Sequence, residues 1–298
     1  MSGSMGWMIS GGGVVLVMAV LREVFRTLWH PTGRGGLSKR LMAGLWRLAR
    51  WIGAGGGRVT AVAGPLGLAF VAAVWTTLIL LGWALVYWPH LPGGFSYTSG
   101  LRPAGRAGFL DALYLSAVTV STLGFGDIVP TDGWLRIAAP LEALIGFALL
   151  TAVVSWISQV YPALTRRRTL ALRLASLRRA AHPSNRFHPA TTVSLLTGLA
   201  GDVDQVRVDL TQHAETYYFH DGQDETSLAA MAGYAADLAR QGQTSARADV
   251  RTGAAMLGRA LEDLTAVLNR QFLHLAAAEP MDVLRAYAAD HGRRLAGS

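Results

Sequence analysis

The segment TVSTLGFGDIVP, from Thr119 to Pro130, differs in composition from the chain around it. Hydroxyl residues precede two glycines that enclose an aromatic residue, one acid follows, and apolar runs lie on both sides. The segment pairs no nucleophile with a base, so its chemistry must come from the backbone. Gly124 and Gly126 permit angles that other residues avoid, so that successive carbonyl oxygens can point the same way. Such oxygens, stacked in rings, can replace the water shell of a cation.

The apolar runs on both sides of this segment are long enough to cross a bilayer. Residues 64–88 carry no charge, and residues 134–161 carry only Arg136 and Glu142, whereas a spanning helix needs about 20 apolar residues. The segment from Phe109 to Ser121 predicts a helix too short to cross, so the chain must enter the membrane and return to the same side. An aromatic belt is predicted at one interface from Trp83, Tyr87 and Trp88.

The net charge of +8 is concentrated beside the apolar runs. Residues 22–58 contain eight Lys or Arg and one acid, and residues 166–179 contain six Arg and no acid. Basic residues at membrane edges favour a topology signal over nucleic-acid binding. We therefore expect a multi-pass protein of the plasma (inner) membrane, with residues 89–133 outside, a cytoplasmic C-terminus and no nucleic-acid partner.

The N-terminal region, residues 1–58, is expected to contain a further spanning helix. Residues 7–21 are apolar, Gly11–Gly13 weaken a helix, and Arg22 can snorkel and extend the span towards Trp29. A cleaved signal peptide is the alternative, and we favour the spanning helix with an external N-terminus. Residues 37–52 predict a basic amphipathic helix on the inner surface, with Leu41, Leu45, Leu48 and Ile52 on one face.

Residues 166–298 predict an all-α bundle. Apolar residues recur at helical spacing over 193–210, 227–241, 281–292 and 257–275, where the last stripe runs from Leu257 to Leu275. The segment 213–225 is rich in His and acids; we interpret it as a solvated turn before a helix, with a divalent-metal site as the alternative. No dinucleotide or phosphate-binding motif is present, so we expect no cofactor, no enzymatic activity and a regulatory ligand of unknown type.

The letters TVSTLGFGD resemble the Thr-x-x-Thr-x-Gly-Tyr/Phe-Gly-Asp signature of the tetrameric potassium channel pore family. The resemblance covers residues 64–165 and implies an outer helix, a pore helix, a selectivity filter and an inner helix. The expected fold class is therefore an all-α membrane protein with this pore domain, the N-terminal region 1–58 and a helical cytoplasmic domain over 166–298.

The resemblance also implies roles for single residues. Potassium ions would bind the carbonyls of Thr122, Leu123, Gly124 and Phe125, with the Thr122 hydroxyl adding a ligand, and Gly126 would open the outer mouth. Three residues would support the filter. Thr119 and Ser121 would close the pore helix, and Asp127 would brace the filter from behind.

Four further positions depart from the family or allow two interpretations. Gly146 is either a hinge of the inner helix or a site of close helix packing. Glu142 either forms hydrogen bonds behind the filter or reaches a watery edge. Tyr114 and Leu115 stand where family members often have two Trp, and the filter aromatic Phe125 has no hydroxyl, which together predict a loosely braced filter.

The chain has one pore motif, so closing a ring of carbonyls requires a homotetramer in the lipid bilayer. The expected function is passive, potassium-selective conduction, gated by an unknown stimulus through the helical cytoplasmic domain. The alternatives are a weakly selective cation channel and a membrane-anchored sensor or scaffold.

Overall fold

A computed structural model of the chain describes residues 3–29, 36–52, 58–98, 108–180 and 189–296. These residues are mostly helical, with one short antiparallel ribbon that pairs β1 (Phe95–Tyr97) with β2 (Ile128–Pro130). The α-helices are α1 (Gly3–Trp29), α2 (Gly36–Ile52), α3 (Arg58–Tyr87), α4 (Phe109–Val120), α5 (Leu135–Ala180), α6 (Pro189–Gln212), α7 (Leu228–Gln243), α8 (Ala248–Leu268) and α9 (Pro280–Asp290). The predicted all-α class is confirmed.

The chain divides into two compact units. Of the described residues, the first unit contains 3–29, 36–41, 68–98 and 108–158, and the second contains 42–52, 58–67, 159–180 and 189–296. Helices α2, α3 and α5 each contribute residues to both units. The domain boundary placed between 165 and 166 from the sequence falls inside α5, which is continuous from Leu135 to Ala180.

Within the described ranges, three helices are long and apolar enough to cross a membrane: Ser4–Leu28 in α1, Val62–His90 and Leu135–Ala180. Within the first unit α1 packs closely on α3, because glycines face each other. A Cβ on Gly13 would lie 2.4 Å from the carbonyl oxygen of Gly82, so only glycine permits this approach. The hydroxyl of Ser10 also donates to the carbonyl of Val86 at 3.1 Å. The glycines that weaken α1 locally thus allow it to dock on its neighbour.

The core of the first unit contains aromatic residues that the sequence assigned to an interface. Trp75 is fully buried and its ring lies 5.3 Å from that of Trp156. Of the predicted aromatic belt, Trp83 and Tyr87 are buried and stack on each other within the unit, so their side chains do not face lipid. The Tyr87 hydroxyl has a buried partner there, and this bond outweighs a position in the headgroup region.

In the second unit the helices expected at 193–210, 227–241 and 281–292 are present as α6, α7 and α9. The predicted stripe from Leu257 to Leu275 is correct only to Leu268, where α8 ends. The amide of Leu275 donates to Asn269 Oδ1 at 2.6 Å, and the Asn269 amide donates to the carbonyl of Leu275 at 3.1 Å. This pair of bonds closes a turn after a short π-helical segment, and it leaves Leu275 exposed.

The solvated turn expected in residues 213–225 holds only for residues 222–225, which are exposed ahead of α7. Two 3-10 turns occupy this segment, and the side chains from Tyr217 to Phe219 are buried. Asp221 is buried as well, because it accepts hydrogen bonds from Arg167 at 3.0 Å and from Arg168 at 2.8 Å. The part of the segment up to Asp221 thus contributes to the core of the second unit. Across the described ranges, no group of three or more His, Asp or Glu side chains is arranged to hold a metal ion.

Candidate functional site

The pore helix α4 ends at the first residues of the glycine-rich segment. It begins with a capping interaction in which the amide of Gly108 donates to Asp111 Oδ2 at 3.2 Å. Its last turn is closed by two hydroxyls: Thr119 Oγ1 donates to the carbonyl of Leu115 at 2.8 Å, and Ser121 Oγ donates to that of Ala117 at 2.6 Å. These bonds lie near the negative end of the helix dipole, which favours a nearby cation.

After α4 the backbone alternates between positive and ordinary φ. Positive φ occurs at Thr122 (59°), Gly124 (55°) and Gly126 (73°), and not at the residues between them. This alternation turns successive peptide planes so that their carbonyls can lie on one side of the strand. Positive φ is strained for the β-branched Thr122, and such strain persists where the surrounding structure enforces it, often at functional sites. The amide of Leu123 is held by the carbonyl of Val118 at 3.0 Å.

Residues 122–126, in which φ alternates, form an extended segment that we call the alternating strand. Its large side chains are mostly uncovered in a single chain. Leu123 is 61% exposed and Phe125 is 66% exposed. Between the strand and α5 lies an open cavity of about 460 Å³, whose lining includes Leu115, Thr119 and Pro140. Apolar side chains left open in this way require a further apolar surface against them.

The outer end of the strand is fixed by three hydrogen bonds. The Tyr114 hydroxyl donates to Asp127 Oδ2 at 2.7 Å. Thr98, which precedes the undescribed residues 99–107, donates from its amide to the carbonyl of Asp127 at 3.0 Å and from its hydroxyl to that of Gly126 at 3.2 Å. The sequence left the role of Tyr114 open and missed Thr98, because no local pattern marks a partner 28 residues away.

The expectation of a loosely braced filter rested on an indole absent at Leu115 and a hydroxyl absent at Phe125. In this chain the Tyr114 phenol donates a hydrogen bond to Asp127, so a side chain other than an indole braces this end of the segment. Leu115 is buried, so its position is filled by packing. Nearby on β1, burial raises the pKa of the Tyr97 phenol. The negative charge of Asp111 raises this pKa further.

Behind the pore helix a fully buried carboxylate joins three helices. Glu142 of α5 accepts a hydrogen bond at Oε1 from Ser116 of α4 at 2.5 Å, and at Oε2 from Tyr87 of α3 at 2.6 Å. Of the two interpretations of Glu142, the structure supports hydrogen bonding behind the glycine-rich strand over a watery edge. Ser116 and Tyr87 were not recognised as its partners in the sequence.

Gly146 lies where α5 crosses the end of α4. A Cβ at this position would lie 2.3 Å from the carbonyl oxygen of Val120, so no side chain fits without moving the pore helix. The close-packing interpretation of Gly146 therefore has a direct structural basis, and the hinge stays a prediction.

A short pore helix, a following segment with alternating φ and two flanking helices of membrane length are together typical of an ion channel pore. Comparison with known proteins agrees, because residues 73–161 match the family model described as ion channel. This part of the chain is therefore an ion channel pore domain.

Curated relatives match different lengths of the chain. The uncharacterized membrane protein YdjJ of Bacillus subtilis (strain 168) is 30% identical over 169 residues, 57% of this chain and 48% of that protein. The potassium channel protein kcv of Paramecium bursaria Chlorella virus 1 is 37% identical over 54 residues, 18% of this chain and 57% of that protein. Two-pore potassium channel 5 of Arabidopsis thaliana is 44% identical over 46 residues, 15% of this chain and 11% of that protein.

The chain thus spans about half the length of the Bacillus subtilis protein and a much smaller part of the plant channel. No solved structure matches the chain significantly.

Proposed function

We propose that this ion channel is a potassium-selective channel that conducts passively through a filter formed by residues 122–126. The alternating φ at Thr122, Gly124 and Gly126 directly after a capped pore helix is the observation that carries the proposal. Carbonyls on one side of each strand would bind dehydrated potassium ions, with the Thr122 hydroxyl at the inner end and Gly126 at the outer mouth. The names of two relatives, which contain the words potassium channel, support the choice of ion.

The ring that this mechanism needs would come from four copies of the chain. The exposed side chains of Leu123 and Phe125, and of Leu141 and Leu144 on α5, supply an apolar face for a neighbouring subunit. The Arg-rich stretch after residue 165 supports a cytoplasmic C-terminus, and the three apolar helices support a multi-pass position in the plasma membrane.

The conduction proposal is tested by Gly124→Ala. At a φ of 55° a Cβ costs about 1–2 kcal/mol in each subunit, so the strand should leave the conducting conformation. We expect potassium flux into vesicles to vanish while the oligomer persists on gel filtration. Gly133→Ala is the matched control, because this glycine has ordinary φ and open space around it.

Normal flux in Gly124→Ala would exclude this filter. Comparable rates for sodium and potassium in the wild type would favour the weakly selective cation channel.

The proposed gating route begins at the arginines that follow the inner span. Arg167 is buried in the second unit, where it donates to the carbonyls of Thr216 at 2.6 Å and Phe219 at 2.9 Å. Arg166 forms a bidentate pair with Asp209 of α6 at 2.8 and 2.7 Å. Because α5 is one continuous helix, a rearrangement of α6 would act on α5 through these bonds.

Asp209→Asn weakens this link at almost constant volume. We expect a changed open probability in single-channel records, because a neutral amide holds Arg166 less firmly than a carboxylate does. Asp263→Asn is the control, since Asp263 pairs with Arg207 between α8 and α6 and not with α5. An unchanged open probability in Asp209→Asn across voltage and pH would count against gating through this link.

A further inference from the structure

Helix α2 presents three distinct faces when its residues are placed at 100° intervals. The first face packs on the second unit and contains the buried Met42, Trp46 and Ala49. The second is apolar and uncovered, and the third is basic. Residues 36–52 contain four basic residues and no acid: Lys39, Arg40, Arg47 and Arg50. A helix with one apolar and one basic face left uncovered is typical of the membrane interface.

Contacts with two spanning helices place α2 at their ends. Glu23 of α1 accepts hydrogen bonds at Oε1 from the amides of Leu37 at 2.7 Å and Ser38 at 3.3 Å, so α1 caps the start of α2. On α3, a Cβ on Gly67 would lie 2.5 Å from Sδ of Met42, so α2 crosses α3 in close contact. Gly67 lies five residues inside the span that begins at Val62.

The uncovered apolar face includes Leu48, Trp51 and Ile52, and Trp51 is 79% exposed. On the helical wheel the exposed Arg40 and Arg47 lie directly beside Trp51. Tryptophan and aliphatic residues enter the boundary between headgroups and acyl chains, and guanidinium groups bind phosphate strongly. We propose that this face of α2 is a binding surface for anionic phospholipid in the inner leaflet. This inference concerns the membrane and not the conduction of ions.

The occupant of the face follows from charge and position. A neutral leaflet would satisfy Trp51 and Ile52 but not the run of basic residues, and a second protein would have to fit between α2 and the membrane that α1 and α3 enter. Anionic headgroups attract each juxtamembrane Lys or Arg, so they match both properties of the face.

A bound lipid would act close to the second unit. On the packed side of α2, Trp46 Nε1 donates to Asp290 Oδ2 at 3.1 Å, and Arg50 forms an ion pair with the same carboxylate. The Tyr217 hydroxyl donates to it at 2.8 Å. Anionic lipid therefore competes with Asp290 for Arg50, and lipid binding is linked to the α9 end of the bundle.

The test uses the full chain, which contains no cysteine and so accepts single labels. Leu48→Cys carries a polarity-sensitive dye, and Met256→Cys on α8, which is exposed to a similar extent, is the matched control. The protein is reconstituted in phosphatidylcholine with or without phosphatidylglycerol. We expect the dye at 48, but not at 256, to shift to the blue and to be quenched by brominated acyl chains, more strongly with phosphatidylglycerol present.

Affinity is measured by titrating short-chain phosphatidylglycerol into the detergent-solubilised chain labelled at 48. Arg40→Gln with Arg47→Gln should weaken this binding about 30-fold, from roughly 1 kcal/mol per basic residue, and leave binding of short-chain phosphatidylcholine unchanged. Retained folding of the double variant is checked by its circular dichroism spectrum.

Four results would overturn the proposal. In the dye experiment, these are a dye at 48 that reports water in both lipids and a dye at 48 that protein shields from brominated lipid. In the titration, they are equal affinity for phosphatidylglycerol and phosphatidylcholine, and inorganic phosphate that binds as tightly as phosphatidylglycerol. Each can be observed in protein that conducts normally, so failure here is distinct from failure of the proposed function.

Discussion

The Glu142 carboxylate is the residue whose environment differs most from what its position in an apolar helix suggests. An ionisable group at membrane depth is costly unless it is paired, and here two hydroxyls from different helices bind its two oxygens. Ser116 additionally lies within 3.1 Å of the carbonyl of Leu80, so its hydroxyl also contacts α3. The pore helix is therefore tied to both flanking helices at one buried point.

Tyr87→Phe removes one of these ties without changing the packing volume. The Oε2 atom of Glu142 then stays buried without this donor, which costs about 1–3 kcal/mol per subunit. We expect a lower thermal midpoint of the assembled channel and a faster decline of potassium flux. In Tyr161→Phe the same exchange is made at an exposed position of α5, and the midpoint should not change. Equal midpoints for wild type and Tyr87→Phe would show that the cluster carries no stability.

At the residue scale, the sequence indicated interactions within one helical turn and missed contacts between residues far apart in the chain. The hydroxyls of Thr119 and Ser121, for which the resemblance implied a role in closing the pore helix, act on carbonyls within one turn. The bond from Tyr87 to Glu142 joins residues 55 positions apart, and only the packing of α3 against α5 brings them together. A Tyr near the end of a spanning helix is also more simply interpreted as part of a lipid-facing aromatic belt, whereas the side chain of Tyr87 is buried.

At the scale of the elements, the contact between α4 and α5 fixes the position at which residues 122–126 begin. Val120 ends the pore helix, and its carbonyl oxygen fills the space where Gly146 lacks a side chain. A displacement of α5 at this point moves the end of α4 and with it the first residue of the alternating strand. The same glycine can thus be essential for packing without acting as a hinge.

Gly146→Ala separates these two interpretations. If packing dominates, the added methyl group pushes α4 and α5 apart and destabilises the assembled channel by about 1–3 kcal/mol. The measurement is the thermal midpoint of the oligomer together with potassium flux. Gly201→Ala in α6 is the control, since it is helical with open space around it and should be neutral or slightly stabilising. An unchanged midpoint combined with channels that rarely open would favour the hinge.

Helices with a strong apolar pattern were predictable, and their ends were less so. The three long apolar helices and the short pore helix follow from length and composition. The end of α8 does not, because the Asn269 turn stops a stripe that continues in the sequence to Leu275. For α2 the sequence indicated the exposed leucine face, whereas the packed face of Met42, Trp46 and Ala49 depends on a partner formed far along the chain.

At the scale of the whole molecule, the second unit closes around a buried histidine near the C-terminal end. His291 lies between the rings of Trp46, Tyr217 and Tyr287, at centroid distances of 5.3, 4.9 and 4.6 Å. Its Nε2 lies 2.8 Å from the carbonyl of Tyr217, and its Nδ1 lies 3.1 Å from that of Tyr287. Burial, followed by the positive charge of Arg167, lowers the pKa of His291 to about 4. The neutral ring is therefore the folded form, and it joins α2, α9 and the 214–218 turn.

This lowered pKa makes the stability of the second unit dependent on pH. An unfolded chain with an ordinary histidine pKa of 6.5 binds more protons than the folded chain between pH 6.5 and 4. The contribution of His291 is thus fully present above pH 6.5 and declines as the pH falls towards 4, by up to about 3 kcal/mol. The lowered pKa values of His213 and His220, each caused first by burial, act in the same direction.

We expect the denaturant midpoint of the detergent-solubilised full chain, followed by circular dichroism, to fall steadily from pH 7 to pH 4. His291→Asn should make that fall shallower even if it lowers the midpoint at pH 7, because the group that takes up the proton on unfolding is gone. His274→Asn makes the same exchange at an exposed residue and should keep the wild-type slope. If the slope of His291→Asn equals that of the wild type, another group carries the acid sensitivity of the second unit.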